Sequence, residues 1–242
     1  FRIKDSVIGR KSLDFDFEAL ADVPAATAED YNVLEWVATD IEGFRGDSLP
    51  YWSGIIDLDA SSAAILNSPE TNTTALDGLI DILSDGGSEI DDAAIYFIGS
   101  NNNINNYGWN GTALADHNTS VMHPVNDTGS PNEFATGIAG IDFNNTDIYE
   151  YYQLAWTAYA VGISDYDAAT DTGTLMLYYD YQPWNGDTYL TKADGSTTKS
   201  EILMNNVSTF RFKAVGSIVK IQVCVNSEVV EDYSLCKEKT IF

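Results

Sequence analysis

The second half of the chain constrains the fold more than any other feature of the sequence. From Tyr149 onward, stretches rich in β-branched and aromatic residues are separated by short turn sequences, which is the pattern of a β-meander. Gly216 and Ser217 separate the last two stretches and predict a tight hairpin turn. The predicted strands of this region are 151–163, 173–181, 201–213 and 217–225.

The first half combines short predicted strands with one predicted helix. Leu76, Leu79, Ile80 and Leu83 follow the i, i+3, i+4, i+7 spacing of an amphipathic helix over 73–84. We expect Thr73 or Thr74 to be its N-cap, and Gly86 and Gly87 to end it. The predicted strands are 31–38, 51–58 and 93–98, and residues 99–147 predict long loops with short strands.

Length and hydropathy predict one globular domain. A chain of 242 residues can form a single large β-rich domain, so we expect residues 1–242 to be one head domain. No apolar run approaches 18 residues, so no transmembrane helix is predicted. The chain begins with Phe1, and we interpret it as a processed or truncated product.

The charge of the chain is strongly negative and unevenly distributed. It has 37 acidic and 12 basic residues, a net charge of −25, which argues against a nucleic-acid partner. Arg45 is the only basic residue between Ser12 and Thr191, so the other 11 lie towards the two ends. This pattern suggests that the terminal segments share one end of the molecule, facing anionic lipid headgroups or another subunit. An ordinary solvated surface is the alternative.

The two cysteines lie close together near the C-terminus. Cys224 and Cys236 are separated by 11 residues, which fits either a disulfide or two free thiols. No CxxC motif or nearby histidine accompanies them, so a zinc site is excluded. We favour a disulfide that closes a C-terminal loop and stabilises it by about 3 kcal/mol. Such a bond indicates an oxidising compartment.

One acidic segment is a candidate calcium site. Asp165, Asp167 and Asp171 lie in a predicted turn between two strands, and hard oxygen ligands from one short loop suit Ca²⁺. The spacing is not that of an EF-hand. Asp and Gly are also ordinary turn residues, which is the competing interpretation. No other cofactor is predicted.

No residue is predicted to be catalytic. The sequence contains no nucleophile elbow, P-loop, dinucleotide-binding motif or HExxH motif. His117 and His123, the only histidines, are interpreted as solvated loop residues, with a metal pair as the alternative. Close carboxylate pairs, which a glycosidase would use, arise by chance among so many acids. These pairs are 57/59, 91/92, 165/167 and 231/232.

Four aromatic residues suggest carbohydrate binding as an alternative function. Trp109, Trp184, Tyr107 and Tyr189 lie near glycine and asparagine in predicted loops, where exposed rings could form a platform for sugars. Packing in the core or at its rim is the ordinary role of such residues.

Both ends of the chain resemble a known family. The segment VSTFRFKAVGSIVKIQVCVN, followed by YSLCKEKTIF, resembles the end of bacterial type IV pilin-like proteins. It is most similar to the large minor pseudopilins of type II secretion-type systems. The segments DSVIGRKS, YNVLEWVATD and LPYWSGIIDLDAS are similar to the region that follows the hydrophobic N-terminal helix of such proteins.

The resemblance implies an anchored, β-rich head. In that family a hydrophobic N-terminal helix holds the subunit in the inner membrane, so residues 1–11 would be the stub and exit of a missing helix. Residues 207–242 would form a C-terminal hairpin and disulfide loop that contacts neighbouring subunits, and Cys224 and Cys236 match the family's cysteine pair. Some family members bind calcium in the head, which adds support for a site at Asp165, Asp167 and Asp171.

These observations give the following expectations. The fold is α+β and mainly β, with an antiparallel sheet packed against the short helix and the N-terminal stub, as in pilins. The function is structural, in a cell-envelope filament for type II secretion or type IV pilus assembly. The partners are other pilin or pseudopilin subunits and the inner membrane, and the location is the periplasm or the cell surface. The alternatives are a secreted carbohydrate-binding or adhesive β domain and, less favoured, a glycosidase.

Overall fold

A computed structural model describes residues 2–11, 16–100, 102–226 and 234–241. Strand accounts for 43% and helix for 14% of the structure. The helices are α1 (Ile41–Arg45) and α2 (Thr73–Leu83). The strands are β1 (Ile8–Lys11), β2 (Phe17–Ala19), β3 (Tyr31–Ala38), β4 (Ile65–Asn67), β5 (Ala94–Phe97), β6 (Met122–Asp127), β7 (Glu133–Thr136), β8 (Tyr152–Ala155), β9 (Thr157–Asp167), β10 (Thr172–Tyr181), β11 (Lys199–Val215), β12 (Ile218–Asn226) and β13 (Ser234–Ile241).

The chain divides into two compact units, each built from separate segments. Unit 1 comprises residues 1–3, 37–158 and 180–198, and unit 2 comprises residues 4–36, 159–179 and 199–242. Most of both terminal segments therefore belong to unit 2, where β2 and β13 are the two edge strands of one sheet. That the two segments share one end of the molecule stays a prediction. Unit 2 holds nine of the 12 basic residues, whereas unit 1 holds 21 of the 37 acidic ones. The expectation of one domain over 1–242 stays a prediction.

Unit 1 contains a five-stranded antiparallel sheet in the order β4-β7-β6-β5-β8. Its core includes Ile95 and Phe97 from β5 and Leu154 from β8. Helix α2 contributes Leu76 and Ile80 to the same core, as its amphipathic spacing predicts. Unit 1 is therefore an α-helix and a small sheet sharing one apolar interior.

Unit 2 is organised around an eight-stranded sheet that curves into a half-barrel. The strand order is β13-β12-β11-β10-β9-β3-β1-β2. The pairs β13-β12, β12-β11, β11-β10, β3-β1 and β1-β2 are antiparallel. Phe210 and Phe212 of β11 pack with Leu34 of β3 and Leu20 in its apolar core. The strands at the two ends of the sequence thus share one interior.

Gly9 on β1 allows a close approach between distant parts of unit 2. A Cβ atom at this position would lie 3.3 Å from Phe212 Cε2, and at the same distance from atoms of Tyr31 and Val23. Such contacts are tighter than ordinary van der Waals separations. The absence of a side chain therefore lets the Phe212 ring pack close to the β1 backbone.

The predicted pilin-like fold class is wrong. The structure is mostly β with two sheets, and the residues it describes form no long N-terminal helix packed on a single sheet, as a pilin-like fold requires. Residues 4–6 form a 3₁₀ turn, and residues 8–11 form β1 where the stub of a helix was expected. Pairing of β1 with β2 and β3 explains this difference, since both neighbours satisfy its backbone groups.

Several local predictions are confirmed and two are wrong. The predicted strand over 31–38 is β3, and the predicted helix is α2, although its N-cap is Asn72 and not Thr73 or Thr74. Asn72 Oδ1 accepts a hydrogen bond from the Ala75 amide at 3.1 Å. Residues 51–58 form turns and isolated bridges and not a strand, because Asp57 Oδ1 accepts from the amides of Asp59 and Ala60.

No helix within residues 2–11, 16–100, 102–226 and 234–241 has the length and apolar character needed to cross a bilayer.

Candidate interaction surface

The two cysteines lie directly opposite each other on neighbouring strands. Cys224 of β12 pairs with Cys236 of β13, and their sulfur atoms form a disulfide with an S–S distance of 2.07 Å. The segment predicted to be a disulfide loop thus contains a strand, β13, which pairs with β12. Residues 227–233, between these two strands, lie outside the described part of the chain. A disulfide of this kind is consistent with an extracytoplasmic, oxidising compartment.

The three candidate calcium ligands lie around the turn between β9 and β10. Asp167 Oδ1 accepts from the Ala169 amide at 2.9 Å, and Tyr166 donates its hydroxyl to Asp171. Asp165 and Asp171 both have a positive φ, as turn residues often do. Among the described residues no group of three or more His, Cys, Asp or Glu side chains is arranged to hold a metal ion. Calcium binding stays a prediction, and an increase in Tm with millimolar Ca²⁺ would test it.

The aromatic residues suggested as a sugar platform are buried. Tyr107, Trp109 and Trp184 are at most 1% exposed, and Tyr189 is 5% exposed. Trp184 also donates its indole N–H to the Asp92 carbonyl at 2.9 Å. These four rings belong to the interior of unit 1 and cannot stack on a sugar at the surface.

His117 and His123 are neighbours in the interior of unit 1, which corrects their interpretation as solvated loop residues. Their rings stack with centroids 5.5 Å apart, and each ring also contacts a phenylalanine, Phe143 and Phe97 respectively. Burial lowers the pKa of His117 to about 4 and that of His123 to about 3. Both imidazoles are therefore neutral at pH 7, and Thr136 Oγ1 lies 2.7 Å from His117 Nε2.

Asp91 and Asp92, one of the carboxylate pairs named above, serve local structure. Asp91 Oδ1 accepts from the Asp127 amide at 2.7 Å, and Asp92 Oδ2 accepts from the Glu89 amide at 3.0 Å. Burial raises the pKa of Asp92, partly opposed by its hydrogen bond from the Glu89 amide. The pair at 231/232 lies outside the described residues.

One face of β11, β12 and β13 gathers basic side chains. Arg211 lies opposite Gln222, and Lys213 lies opposite Lys220, so these four side chains share a face. The register to β13 adds Glu238 beside Gln222 and Thr240 beside Lys220. We call this set the basic patch. It consists of Arg211, Lys213, Lys220, Gln222, Glu238 and Thr240.

The opposite face of the same strands is apolar. Phe210, Phe212 and Val219 are buried there, and Ile221 and Val223 pack against them. Each strand of the hairpin thus alternates between a core-facing and an outward-facing set, as the sequence predicts for β12. The basic patch is the outward-facing set.

Two of the three cations in the basic patch have acidic neighbours. Arg211 Nη2 lies 2.8 Å from Glu29 Oε1, and Lys220 Nζ lies 3.0 Å from Glu238 Oε1. Both ion pairs are solvent-exposed, so each contributes little to stability. Lys213 is exposed and forms no ion pair with a described residue.

A groove of about 300 Å³ adjoins the basic patch. Its walls are Ala25, Ala28 and Glu29 on one side, and parts of β11, β12 and β13 on the other. All three cations of the patch line it, together with Gln222 and Glu238. In a chain with a net charge of −25, this groove is a local concentration of hydrogen-bond donors that favours an anionic partner.

Comparison with known proteins identifies no relative. No known protein family, curated protein sequence or solved structure matches the chain. The function is therefore argued from the residues of this chain.

Sequence alone indicates only part of this surface. The hairpin turn that Gly216 and Ser217 predict is present, and the structure shows that it sets Lys213 opposite Lys220. The Arg211–Glu29 contact joins residues far apart in the chain, and no local sequence pattern predicts it. The role of Glu238 was missed because the strand that carries it was expected to be a loop.

Proposed function

We propose that this chain is the head of a minor pilin or pseudopilin, a structural subunit of a cell-envelope filament. The filament would serve type II secretion or type IV pilus assembly. The proposal rests on the resemblance at both ends of the sequence and on the basic patch, and it does not rest on a pilin-like fold. The basic patch is the single observation that carries it, because an anion-seeking surface on an acidic subunit is suited to binding its acidic neighbours.

The charge distribution supports assembly between subunits. Unit 1 has 21 acidic residues against three basic ones, while the basic patch has three cations and one acid. Complementary charges of this kind mainly set orientation and association rate. The contact would thus set the orientation of one subunit relative to the next, and it would weaken as salt is added.

The disulfide supports the same use of this surface. It links β12 to β13, so it holds Glu238 and Thr240 beside Lys220 and Gln222. A preorganised surface loses less conformational entropy on binding than a mobile one. We place the subunit in the periplasm or at the cell surface, held to the inner membrane by an N-terminal helix in its full-length form.

Envelope fractionation of cells that make the full-length protein tests this proposal. Chemical cross-linking before lysis should join the protein to other subunits that carry hydrophobic N-terminal helices, which mass spectrometry can identify. Lys213→Glu/Lys220→Glu should reduce these cross-links, whereas Lys4→Glu should not, since Lys4 is an exposed lysine outside the basic patch. Recovery of the protein in the medium, without any envelope partner, would contradict the proposal. Binding to a glycan array would then favour the carbohydrate-binding alternative.

A further inference from the structure

The hairpin between β11 and β12 ends in an apolar pair. Val215 lies opposite Ile218 on either side of the Gly216–Ser217 turn. Val215 is 45% exposed, and Ile218 is partly exposed. The register is continuous from Thr209 to the turn, so this pair points to the same side of the sheet as the basic patch. The hairpin is thus apolar at its tip and basic behind it.

The spacing of the rows behind the tip is regular. Residues two apart on a strand are about 7 Å apart, so Lys213 and Lys220 form a row about 7 Å behind Val215 and Ile218. Arg211 and Gln222 form the next row, about 7 Å further back. An apolar element that enters the outer ~5–10 Å of a bilayer would place the lysine row at the level of the lipid phosphates.

The charge repulsion between Lys213 and Lys220, which form the lysine row, is unfavourable when no partner is bound. Like charges directly opposite each other on neighbouring strands are destabilising. Glu238 compensates Lys220, but Lys213 has no ion pair with any residue in the described part of the chain. A layer of anionic groups placed against this face would remove the repulsion between the two lysines.

We propose that the β11–β12 hairpin tip docks on an anionic lipid surface. Val215 and Ile218 enter the boundary between headgroups and acyl chains, and Lys213, Lys220 and Arg211 contact the phosphates. The inference goes beyond the proposed function, because this contact needs no second protein subunit. The two contacts use the same cations, so one copy of the basic patch engages either lipid or an acidic subunit at a given time.

The acidic remainder of the chain does not prevent this contact. Exposed charges are screened beyond about 8 Å at physiological ionic strength. The described parts of the hairpin and β13 from Arg211 onward carry five basic residues and one acidic residue.

Vesicle flotation of the purified chain tests the proposal. The probes are vesicles of phosphatidylcholine with roughly 30% phosphatidylglycerol, and vesicles of phosphatidylcholine alone. The chain should float with the anionic vesicles at about 0.15 M salt, lose binding as further salt is added, and not float with the neutral ones. Failure to float with the anionic vesicles at about 0.15 M salt would overturn the proposal.

Two variants assign the binding to the tip. Lys213→Glu/Lys220→Glu should lower the vesicle partition coefficient by about 25-fold or more, because each cation near such a surface changes the affinity about fivefold. Val215→Ser/Ile218→Ser should also lower it while leaving the charge unchanged. Thermal unfolding of both variants verifies that the loss does not come from unfolding.

A matched control separates this face from a general effect of charge. Lys237 and Lys239 lie opposite Val223 and Ile221, on the apolar face of the same strands. Lys237→Glu/Lys239→Glu makes the same change in net charge and should cost less binding than the change at 213 and 220. An equal or larger loss would overturn the proposal. So would a patch-dependent self-association at low salt without vesicle binding, which would assign the patch to an acidic protein partner.

Discussion

Arg10 on β1 donates a hydrogen bond from Nε to Oε1 of Glu35 on β3, and the two side chains are 3% and 0% exposed. Glu35 lies opposite Ile8 in the strand register, so Arg10 reaches along β3 to meet it. Burial removes both ions from water, and their mutual attraction offsets that cost only while both are present.

Removal of one member of this pair should therefore destabilise unit 2. Arg10→Met should lower the free energy of unfolding by about 3–5 kcal/mol, because it leaves the Glu35 carboxylate buried without its cation. Arg10→Met/Glu35→Leu should recover most of the loss, since two apolar side chains need no solvation. Urea denaturation of the three proteins measures this, and a double variant no more stable than Arg10→Met would contradict the argument.

The disulfide should stabilise the edge of the sheet. Cys224→Ser/Cys236→Ser should lower the free energy of unfolding by about 3 kcal/mol, because the closed loop restricts the unfolded chain. In this double variant, the backbone amide hydrogens of β13 should exchange with solvent faster than those of β11. Among the described strands, β13 is at the edge of the sheet and pairs with β12 alone. Thiol labelling of the denatured, unreduced wild type provides the control and should find no free cysteine. Unchanged stability in the double variant would show that the bond is dispensable.

The buried histidines should make unit 1 sensitive to mild acid. The pKa values of His117 and His123 are lowered to about 4 and about 3 in the folded protein, against 6.5 in the unfolded chain. Between these values the unfolded state binds more protons than the folded state, so the free energy of unfolding falls as pH drops below 6.5.

A variant without one titrating ring tests this dependence. His123→Phe should show a smaller loss of stability between pH 7 and pH 5 than the wild type, with similar or greater stability at pH 7. The substitution removes a ring nitrogen, Nδ1, that is buried without a hydrogen-bond partner among the described residues. Denaturant midpoints across this pH range measure the difference. Parallel profiles for the two proteins would exclude His123 as the source.

Lys237 and Lys239 should protect β13 from pairing with another chain. They lie on the apolar face, opposite Val223 and Ile221, at the edge of the eight-stranded sheet. Charged residues at such inward-facing edge positions oppose strand addition. Lys237→Val/Lys239→Val should therefore cause concentration-dependent association, measured by sedimentation velocity. Lys4→Val is the control, and association of both variants alike would indicate a general effect of added apolar surface.

The sequence predicts elements whose signals are local. The i, i+3, i+4, i+7 spacing around Leu76 and Ile80 identifies α2, and the β-branched and aromatic run beginning at Tyr31 identifies β3. The N-cap was misplaced by one or two residues because asparagine and threonine both suit that position. The predicted strand at 51–58 failed because Asp57 forms local hydrogen bonds that compete with strand pairing.

Features that depend on distant residues were not predictable in this way. Strand β13 has little hydrophobic alternation, since all but one of its residues are exposed and it depends on pairing with β12. The burial of His117 and His123 comes from packing against Phe143 and Phe97, respectively. Each phenylalanine is distant in sequence from its histidine, so no local pattern predicts the contact. The fold class failed because it followed the family resemblance, whereas the pairing of β1 depends on tertiary contacts.

The contact of Phe212 with the β1 backbone at Gly9 has a consequence for biosynthesis. Unit 2 draws on residues 4–36 and on residues 199–242, so the interior that its first strands share is completed only after residues 199–242 have been made. Such a high contact order favours slow folding. The early segments therefore remain open to proteases and chaperones until residues 199–242 have emerged from the ribosome.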